Sequence, residues 1–324
     1  MKVAVLIMSA DAQPSTRNVQ AMKETFIRYS NEINLKHEYD FYAYYYDSND
    51  PNLSENQLVV DDDPDYKNYH VIRIGGIETV YRTYEKTYMV YDYLMNNIGG
   101  YDRFVRINSS AYLNIKLLDT VISSTGEYEI YANAINAFVN GNFEYLNGLY
   151  PRGDFYMTSN TVIKGILEHG KELLYADTLL KNRPAVTHVD DTLFGYAFLM
   201  FMGDEYFEHL HCIYYNFFPH KEISPLNLTD ERTALAIASR LKSVPAGGFS
   251  GYSWDDNEYR LYDPEKMKTV HEYVKSLEYD EKFTINDLIL EQDQERITLA
   301  LNPVNAHPWE IKEALRERLR LQNR

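Results

Sequence analysis

The sequence predicts an α/β fold, in which a mixed sheet is flanked by helices and followed by a helical carboxyl-terminal extension. The continuous apolar run at residues 2–8 is typical of a strand buried on both faces of a parallel sheet. In residues 101–114, a short apolar run leads into polar side chains and then into a new apolar run. This order predicts a strand that delivers polar groups to its carboxyl end, where ligands of open α/β sheets are held, and then directly a helix.

The first half of the chain shows alternating strand and helix patterns. Small or polar residues, beginning with Ser9 and Ala10, follow the first strand and allow a ligand to approach the backbone. The predicted elements are a strand at 2–8, a helix at 16–29, a strand at 37–47, an exposed acidic loop at 48–66, a strand at 69–74 and a helix at 78–97. The aspartates at 61–63 belong to that loop and are interpreted as solvated charges rather than metal ligands.

The second half is also predicted to mix strands and helices. Residues 128–139 fit either a strand pair or a short helix, and both alternatives stay open. The remaining predicted elements are a helix at 115–125, a turn at 151–154 before an aromatic strand, a helix capped by Ser159 or Asn160, and a helix that begins at Asp190 and Asp191. His209 and His211 could share one face of a strand, but without a third ligand we interpret them as surface or core-edge histidines.

Composition restricts the possible partners and location. The 32 basic and 48 acidic side chains give a net charge of −16, which disfavours nonspecific attraction to nucleic acid or anionic lipid. Cys212 is the single cysteine, so nothing indicates an oxidising compartment. No apolar run approaches the ~20 residues of a membrane span, and the amino terminus lacks a signal-peptide layout. We therefore predict a cytoplasmic protein with no membrane partner.

Four stretches resemble a known family when they are taken in order. They are YRTYEKTYMVYDYLMNN at 81–97, YDRFVRINSSAYLN at 101–114, YPRGDFYMTSNTVIKGIL at 150–167 and HVDDTLFGYAF at 188–198. Together they are similar to the core of GT-A glycosyltransferases, particularly the Golgi galactosyltransferase and fringe type. The resemblance implies a GT-A (Rossmann-like) fold and an enzyme that uses a nucleotide-sugar donor, most simply a UDP-sugar.

The chain departs from that family at its centre. Asn108, Ser109 and Ser110 stand where the family places the metal-binding aspartates of its DxD motif. Divalent cations that bridge a diphosphate prefer charged oxygen ligands, whereas Asn and Ser supply neutral ones. We therefore expect that manganese or magnesium is not required, and that cationic side chains and hydroxyl groups compensate the charge of the leaving diphosphate.

The residue patterns and the resemblance together give candidate site residues. The residues assigned to the donor are Ser9, Ala10, Asp47, Arg82, Lys86, Arg106, Asn108, Ser109, Ser110 and Arg260. Those assigned to the acceptor or sugar are Gly153, Asp154 and Trp254. Four of these assignments have a structural alternative: Asp47 and Gly153 are also common turn residues, and Arg82 and Lys86 also suit a solvated helix face.

The catalytic base is expected at the start of a helix. By the same resemblance, Asp191 is the favoured general base and Asp190 caps the helix. The structural alternative is that both aspartates only begin the helix. We predict a catalytic domain over residues 1–242, with a flexible loop and a packed helical extension over 243–324.

The predicted function is an inverting hexosyl- or pentosyltransferase that acts on a carbohydrate or another hydroxyl acceptor. Two alternatives stay open. One is a glycosyltransferase that modifies hydroxymethylated bases in DNA, which needs a basic groove. The other is a noncatalytic carbohydrate-binding protein on a degenerate GT-A scaffold, which would explain the missing aspartates.

Overall fold

The computed structural model describes residues 1–79, 82–133, 135–137, 149–151, 153–175, 189–218, 220–243 and 260–290. These residues group into two compact units. Unit 1 comprises the described parts of Met1–Glu78, Val105–Thr125 and Ile213–Ile289, and unit 2 those of Thr79–Phe104 and Gly126–Cys212 together with Leu290. Residues on both sides of 242 belong to unit 1, while the predicted loop and most of the predicted extension lie outside the described residues. The predicted domain boundary therefore stays a prediction.

The described residues form the following elements. The strands are β1 (Lys2–Met8), β2 (Glu38–Asp47), β3 (Leu58–Asp62), β4 (Tyr69–Gly75), β5 (Arg103–Asn108), β6 (Ala111–Leu113), β7 (Ile130–Ala132), β8 (Ile135–Ala137), β9 (Leu149–Pro151), β10 (Phe155–Ser159), β11 (Leu210–Cys212), β12 (Asn216–Phe217) and β13 (Ala238–Arg240). The α-helices are α1 (Ser15–Met22), α2 (Arg28–Glu32), α3 (Thr83–Tyr93), α4 (Ile115–Val121), α5 (Asn160–His169), α6 (Val189–Met202), α7 (Pro225–Leu228), α8 (Glu231–Leu235) and α9 (Asp263–Lys275).

Unit 1 is built on a mixed sheet in the order β5-β1-β2-β4-β3, in which β5 belongs to the unit from Val105 onward. β1 runs parallel to β2, β2 runs parallel to β4, and β3 is antiparallel to β4. Residues 3–7 of β1 are completely buried, as their continuous apolar run predicts. The α/β class with a mixed sheet and flanking helices is therefore confirmed.

β3 corrects the prediction that residues 48–66 form only an exposed loop. β3 is the last strand of this sheet, and its carboxylates are paired with basic side chains of β4. Asp61 bonds Arg73 at 2.6 Å, and Asp62 bonds His70 at 2.7 Å. Charged side chains commonly protect edge strands from pairing with other chains. The polar composition of β3 therefore resembles that of a loop, which is why the strand was not predicted.

β6 corrects a second prediction, that a helix directly follows the polar cluster of β5. Residues of β6 pair with β13 in a second, three-stranded sheet of unit 1, in the order β12-β13-β6. α4 begins only after this strand, where the Asn114 side chain accepts a hydrogen bond from the Leu117 backbone N–H at 3.2 Å. Asn114 is therefore the helix cap, as its residue type favours.

Unit 2 packs α3, α5 and α6 around aromatic side chains. The ring of Phe194 in α6 lies 4.7 Å from Tyr84, 6.0 Å from Tyr91 and 5.9 Å from Tyr156. The predicted cap of α5 is Ser159, whose hydroxyl accepts from the Val162 backbone N–H at 3.2 Å. Residues 128–139, left open by the sequence, contain the two strands β7 and β8. Of the helices described, none has the length and apolar character needed to cross a membrane.

Candidate functional site

Polar residues gather where β1 and β5 of unit 1 reach their carboxyl ends. The backbone N–H of Ser9 donates to the Tyr44 carbonyl of β2 at 3.0 Å, and the N–H of Ser109 donates to the Met8 carbonyl of β1 at 3.0 Å. In each hydrogen bond, the residue that follows one strand donates to a residue of the neighbouring strand. Ser9 is buried, and Ala10 beside it is partly exposed. Predicted donor-binding residues from distant parts of the sequence therefore lie at one edge of a sheet, where α/β proteins hold ligands.

Asn108, Ser109 and Ser110 form the turn that leaves β5, called here the NSS turn. The amide oxygen of Asn108 accepts a hydrogen bond from the Ser110 backbone N–H at 2.9 Å, so this side chain stabilises its own turn. The Ser110 carbonyl accepts from the Leu241 backbone N–H at 2.9 Å. The NSS turn is held from two sides and contains no carboxylate, so charged groups must reach a ligand there from other segments.

Arg106 places a permanent positive charge close to the NSS turn. Its side chain is completely buried on β5, two residues before Asn108. One guanidinium nitrogen, Nη2, lies 3.0 Å from the Met8 thioether sulfur at the end of β1. Arginine stays protonated even when it is buried, and its planar fork suits phosphate oxygens. The position of Arg106 is thus compatible with its predicted role toward a diphosphate.

Asp47 ends β2 and has structural partners of its own. Its Oδ1 accepts hydrogen bonds from the backbone N–H groups of Asn49 at 2.9 Å and Asp50 at 3.1 Å. Its Oδ2 accepts from Arg73 at 3.1 Å. Burial alone would raise the pKa of Asp47, but these hydrogen bonds outweigh it and lower the pKa. The structural alternative for Asp47, a turn carboxylate, therefore has direct support, while its predicted nucleoside contact stays a prediction.

Asp47→Ala is expected to lower the free energy of unfolding by about 1–3 kcal/mol, because two backbone donors and one guanidinium group lose an acceptor. Urea unfolding at pH 7 measures the loss. Since the folded pKa of Asp47 is depressed, its contribution is present above the pKa of the unfolded chain and disappears as the pH falls through the folded pKa. An unchanged unfolding midpoint at pH 7 would contradict the structural role.

Arg82 and Lys86 lie at the start of α3 in unit 2. The Arg82 Nε donates to Glu85 at 2.7 Å. Lys86 is only 1% exposed, which excludes the solvated-face interpretation for this residue. A buried lysine requires polar or anionic partners, so Lys86 has a specific packing or binding role. Its predicted contact with donor phosphate stays a prediction.

Asp190 and Asp191 are the second and third residues of α6, so a helix is present where it was predicted but begins before them, and Asp190 lies in its first turn rather than at its cap. Their side chains lie outside the described part of the structure. The apolar residues that follow, including Leu193, Phe194 and Phe198, are buried as predicted. The helix is therefore firmly packed within unit 2, and the roles of the two carboxylates stay predictions.

The predicted acceptor residues are described only in part. Gly153 and Asp154 occupy the turn before β10, and Asp154 is buried within unit 2. Trp254 lies outside the described residues. Arg260, assigned to the donor, is partly exposed in the turn that precedes α9 of unit 1. The acceptor assignments of Gly153, Asp154 and Trp254 therefore stay predictions, and so does the donor assignment of Arg260.

Three buried residues near the NSS turn were missed by the sequence analysis. Asp263 begins α9, and its Oδ2 accepts from the Asn18 side chain of α1 at 3.3 Å. Lys266 lies one turn further along α9 and donates to the Phe218 carbonyl at 2.7 Å and to the Ser243 hydroxyl at 2.8 Å. Burial raises the pKa of Asp263 to about 6 and lowers that of Lys266 to about 8. The Asp-Pro pair at 263–264 signals a helix start, but nothing local to it signals burial.

His209 directly precedes the short strand β11 of unit 2, and His211 lies within it. His209 Nδ1 bonds the Glu129 carboxylate at 3.0 Å, and His211 Nε2 bonds its second oxygen. Burial opposes ionisation of Glu129, but the two imidazoles lower its pKa. Among the residues that the structure describes, no group of three His, Cys, Asp or Glu side chains could hold a metal ion. Both histidine side chains are partly exposed and share one carboxylate, which places them at the edge of the core.

Comparison with known proteins finds similarity among solved structures. No protein-family model matches the chain, and no curated protein matches its sequence. Among solved structures, the chain is similar to a glycosyltransferase involved in the glycosylation of the major capsid of PBCV-1. That likeness has 12% sequence identity and a TM-score of 0.42, and it covers 83% of this chain and 100% of the other. We therefore infer function from the residues of this chain.

Proposed function

We propose that this chain is a glycosyltransferase that moves a sugar from a nucleotide-sugar donor to an acceptor hydroxyl with inversion at the anomeric carbon. The observation that carries the proposal is the arrangement at the carboxyl edge of β1 and β5. Ser9, Arg106 and the NSS turn meet there, although they are far apart in the sequence. The four sequence stretches that resemble GT-A glycosyltransferases supply the expected chemistry.

The donor is a UDP-sugar, and its diphosphate is the leaving group. Negative charge develops on that group as the glycosidic bond breaks, so preorganised cations lower the barrier. Arg106 is the principal cation in this proposal because it is buried beside the end of β1, and buried charges interact more strongly than solvated ones. Lys86 and Arg260 are the further proposed cations. With these residues the reaction does not require a divalent metal.

Asp191 is the proposed general base. It removes the proton of the acceptor hydroxyl while that oxygen attacks the anomeric carbon, and the nucleoside diphosphate departs from the opposite face. Each sugar transferred therefore produces one nucleoside diphosphate and one new glycosidic bond. Asp190, its neighbour in the first turn of α6, interacts favourably with the helix dipole instead.

Release of nucleoside diphosphate tests the proposed activity. The full chain is incubated with UDP-glucose, UDP-galactose, UDP-N-acetylglucosamine and UDP-xylose, with and without a mixture of carbohydrate acceptors, and with either manganese or chelator. The expected result is UDP release from at least one donor that persists in chelator. Tight donor binding without any release would favour the carbohydrate-binding alternative, and a salt-sensitive shift of hydroxymethylated DNA would favour the DNA-modifying one.

A further inference from the structure

The three-stranded sheet of unit 1 has two faces with different neighbours. Ser239 of β13 pairs with Tyr112 of β6, and the Tyr112 hydroxyl is hydrogen-bonded to His271 of α9 at 3.1 Å. One face of the sheet is therefore packed against α9. Successive side chains of a strand alternate between the two faces, so Arg240, the next residue of β13, belongs to the opposite face.

Arg240 and two aromatic residues of β12 form a row on that opposite face, called here the Arg240 row. Phe217 is the partner of Arg240 in the β12–β13 register, and the guanidinium carbon lies 5.4 Å from the centre of the Phe217 ring. The Tyr215 ring is stacked with that of Phe217, with their centres 6.5 Å apart and their planes at 14°. A guanidinium group attracted to an aromatic ring is restricted in its orientation, so its N–H groups donate in defined directions.

The Arg240 row lies where the core of unit 1 meets solvent. Tyr215 and Phe217 are partly exposed, and Arg240 is 8% exposed. Small-molecule sites are lined mostly by apolar and aromatic side chains and contain a few precisely placed polar groups. The row has this composition, since one oriented cation lies beside two aromatic rings.

The NSS turn lies between the Arg240 row and the ends of β1 and β2. The Ser109 N–H donates to the end of β1, whereas the Ser110 carbonyl accepts from Leu241, the residue after β13. Arg240 pairs with Ala111, the first residue after the NSS turn. Neighbouring strands are about 5 Å apart, so β12 lies roughly 10 Å from β6. The row therefore extends from the NSS turn by about the length of one part of a nucleotide sugar.

A nucleotide sugar is a linear molecule in which the diphosphate joins the nucleoside to the sugar. In the proposed function the diphosphate lies at the NSS turn, and the predicted nucleoside contact, Asp47, ends β2. A nucleoside on the side of β1 and β2 leaves the sugar to extend over β13 and β12. The Arg240 row is therefore positioned for the sugar rather than for the nucleoside.

We propose that Arg240 binds the sugar of the nucleotide-sugar donor, by donating two parallel N–H groups to a pair of sugar oxygens, and that Phe217 is the positioning residue that holds the guanidinium group. The inference rests on the proposed function and adds two residues to the same site. Two neighbouring hydroxyl groups present such a pair of oxygens, and so does the carboxylate of a uronic acid sugar.

Isothermal titration of UDP and UDP-sugars into the full wild-type chain and Arg240→Met tests the proposal. In Arg240→Met the affinity for a UDP-sugar is expected to fall on the order of tenfold while the affinity for UDP stays unchanged, because only the sugar contact is lost. Titration of UDP thus also shows that the variant is folded. UDP-glucose and UDP-glucuronate separate the two sources of the oxygens: a loss confined to UDP-glucuronate assigns the carboxylate, and a loss for UDP-glucose assigns hydroxyl groups.

Two further variants separate the paired hydrogen bonds from charge alone. Lysine keeps the positive charge but lacks the planar fork, so Arg240→Lys should lose most of the sugar-dependent affinity as well. Phe217→Leu keeps an apolar side chain and removes the ring beside the guanidinium group, so we expect a smaller loss, again for UDP-sugars only. The matched control is Lys116→Met in α4. This cation bonds the Leu277 carbonyl and Glu278, and its removal should leave both affinities unchanged.

The outcomes distinguish the two proposals. If the wild-type chain binds UDP and a UDP-sugar, and Arg240→Met weakens neither or weakens both equally, the sugar contact is overturned while the proposed function stands. Full affinity of Arg240→Lys for the UDP-sugar would overturn the paired hydrogen bonds. If the wild-type chain binds neither UDP nor any UDP-sugar, the proposed function fails and the sugar contact fails with it.

Discussion

Arg106→Ala is expected to produce the largest loss of donor affinity of any single substitution on β5. The side chain is completely buried beside the end of β1, so its removal leaves a cavity and eliminates the permanent charge proposed to face the diphosphate. We expect donor affinity to fall by at least about 100-fold, the equivalent of ~3 kcal/mol for a charge-assisted bidentate contact. Calorimetric titration with UDP at pH 7.5 measures the change.

The cavity and the charge can be separated by a matched variant. Arg106→Met fills most of the same volume without a charge, and unfolding in urea shows whether it retains more stability than Arg106→Ala. If the charge is what the donor needs, both variants lose affinity to the same extent although their stabilities differ. Normal affinity in Arg106→Met would contradict the role of the guanidinium group.

Asn108→Asp provides the comparison within the NSS turn. The substitution keeps the oxygen that accepts from the Ser110 N–H and adds the charge that the turn lacks. We expect a smaller loss of affinity than in Arg106→Ala, together with a new dependence on manganese, because a carboxylate is a much better ligand for a divalent cation. If chelator abolishes activity of the wild-type chain and manganese restores it, cationic side chains do not replace the metal.

Asp191→Asn is expected to keep the fold and the donor affinity and to lose turnover by about 10²- to 10⁴-fold, the usual contribution of a general base. Adjacent carboxylates at a helix start diverge, so only one of Asp190 and Asp191 can face the acceptor. Asp190→Asn is the matched control. It should retain most of its turnover and lose about 1 kcal/mol of stability through the weakened helix start. Steady-state rates and melting temperatures of both variants decide the assignment, and near-normal turnover in Asp191→Asn would rule it out.

The sequence predicted elements whose signals are local. The continuous apolar run of β1, the Ser159 cap of α5 and the apolar residues after Asp191 all depend on neighbours within one or two turns of chain, and each was confirmed. β3 was not predicted as a strand because its acidic residues, which bond Arg73 and His70 of β4, give it the composition of a loop. For Lys86 the sequence left both a donor contact and a solvated helix face open, and its burial, which excludes the solvated face, is a property of the tertiary structure.

The sequence predicted only those site residues that directly follow the end of a strand. Ser9 and the NSS turn follow buried strands, and parallel neighbours bring such ends together. Asp263 could not be found in this way, because its contact with Asn18 joins residues separated by 245 positions and depends on how α9 packs against α1. A helix-start aspartate is ordinarily a solvent-exposed cap, and burial of this one is a property of the tertiary structure.

Binding of a nucleoside diphosphate tests the central proposal most directly. UDP is titrated into the full chain, with chelator present, while the thermal unfolding of the protein is followed. A ligand that binds only the folded chain stabilises it by about 2.7 kcal/mol at 100 times its dissociation constant. We expect a stabilisation of this size for the wild-type chain, and at most about 0.4 kcal/mol for Arg106→Met at the same UDP concentration, because a 100-fold loss of affinity brings the ligand to about its dissociation constant. The absence of any shift with uridine, guanosine, adenosine, cytidine or thymidine diphosphate at millimolar concentration would contradict a nucleotide-sugar site.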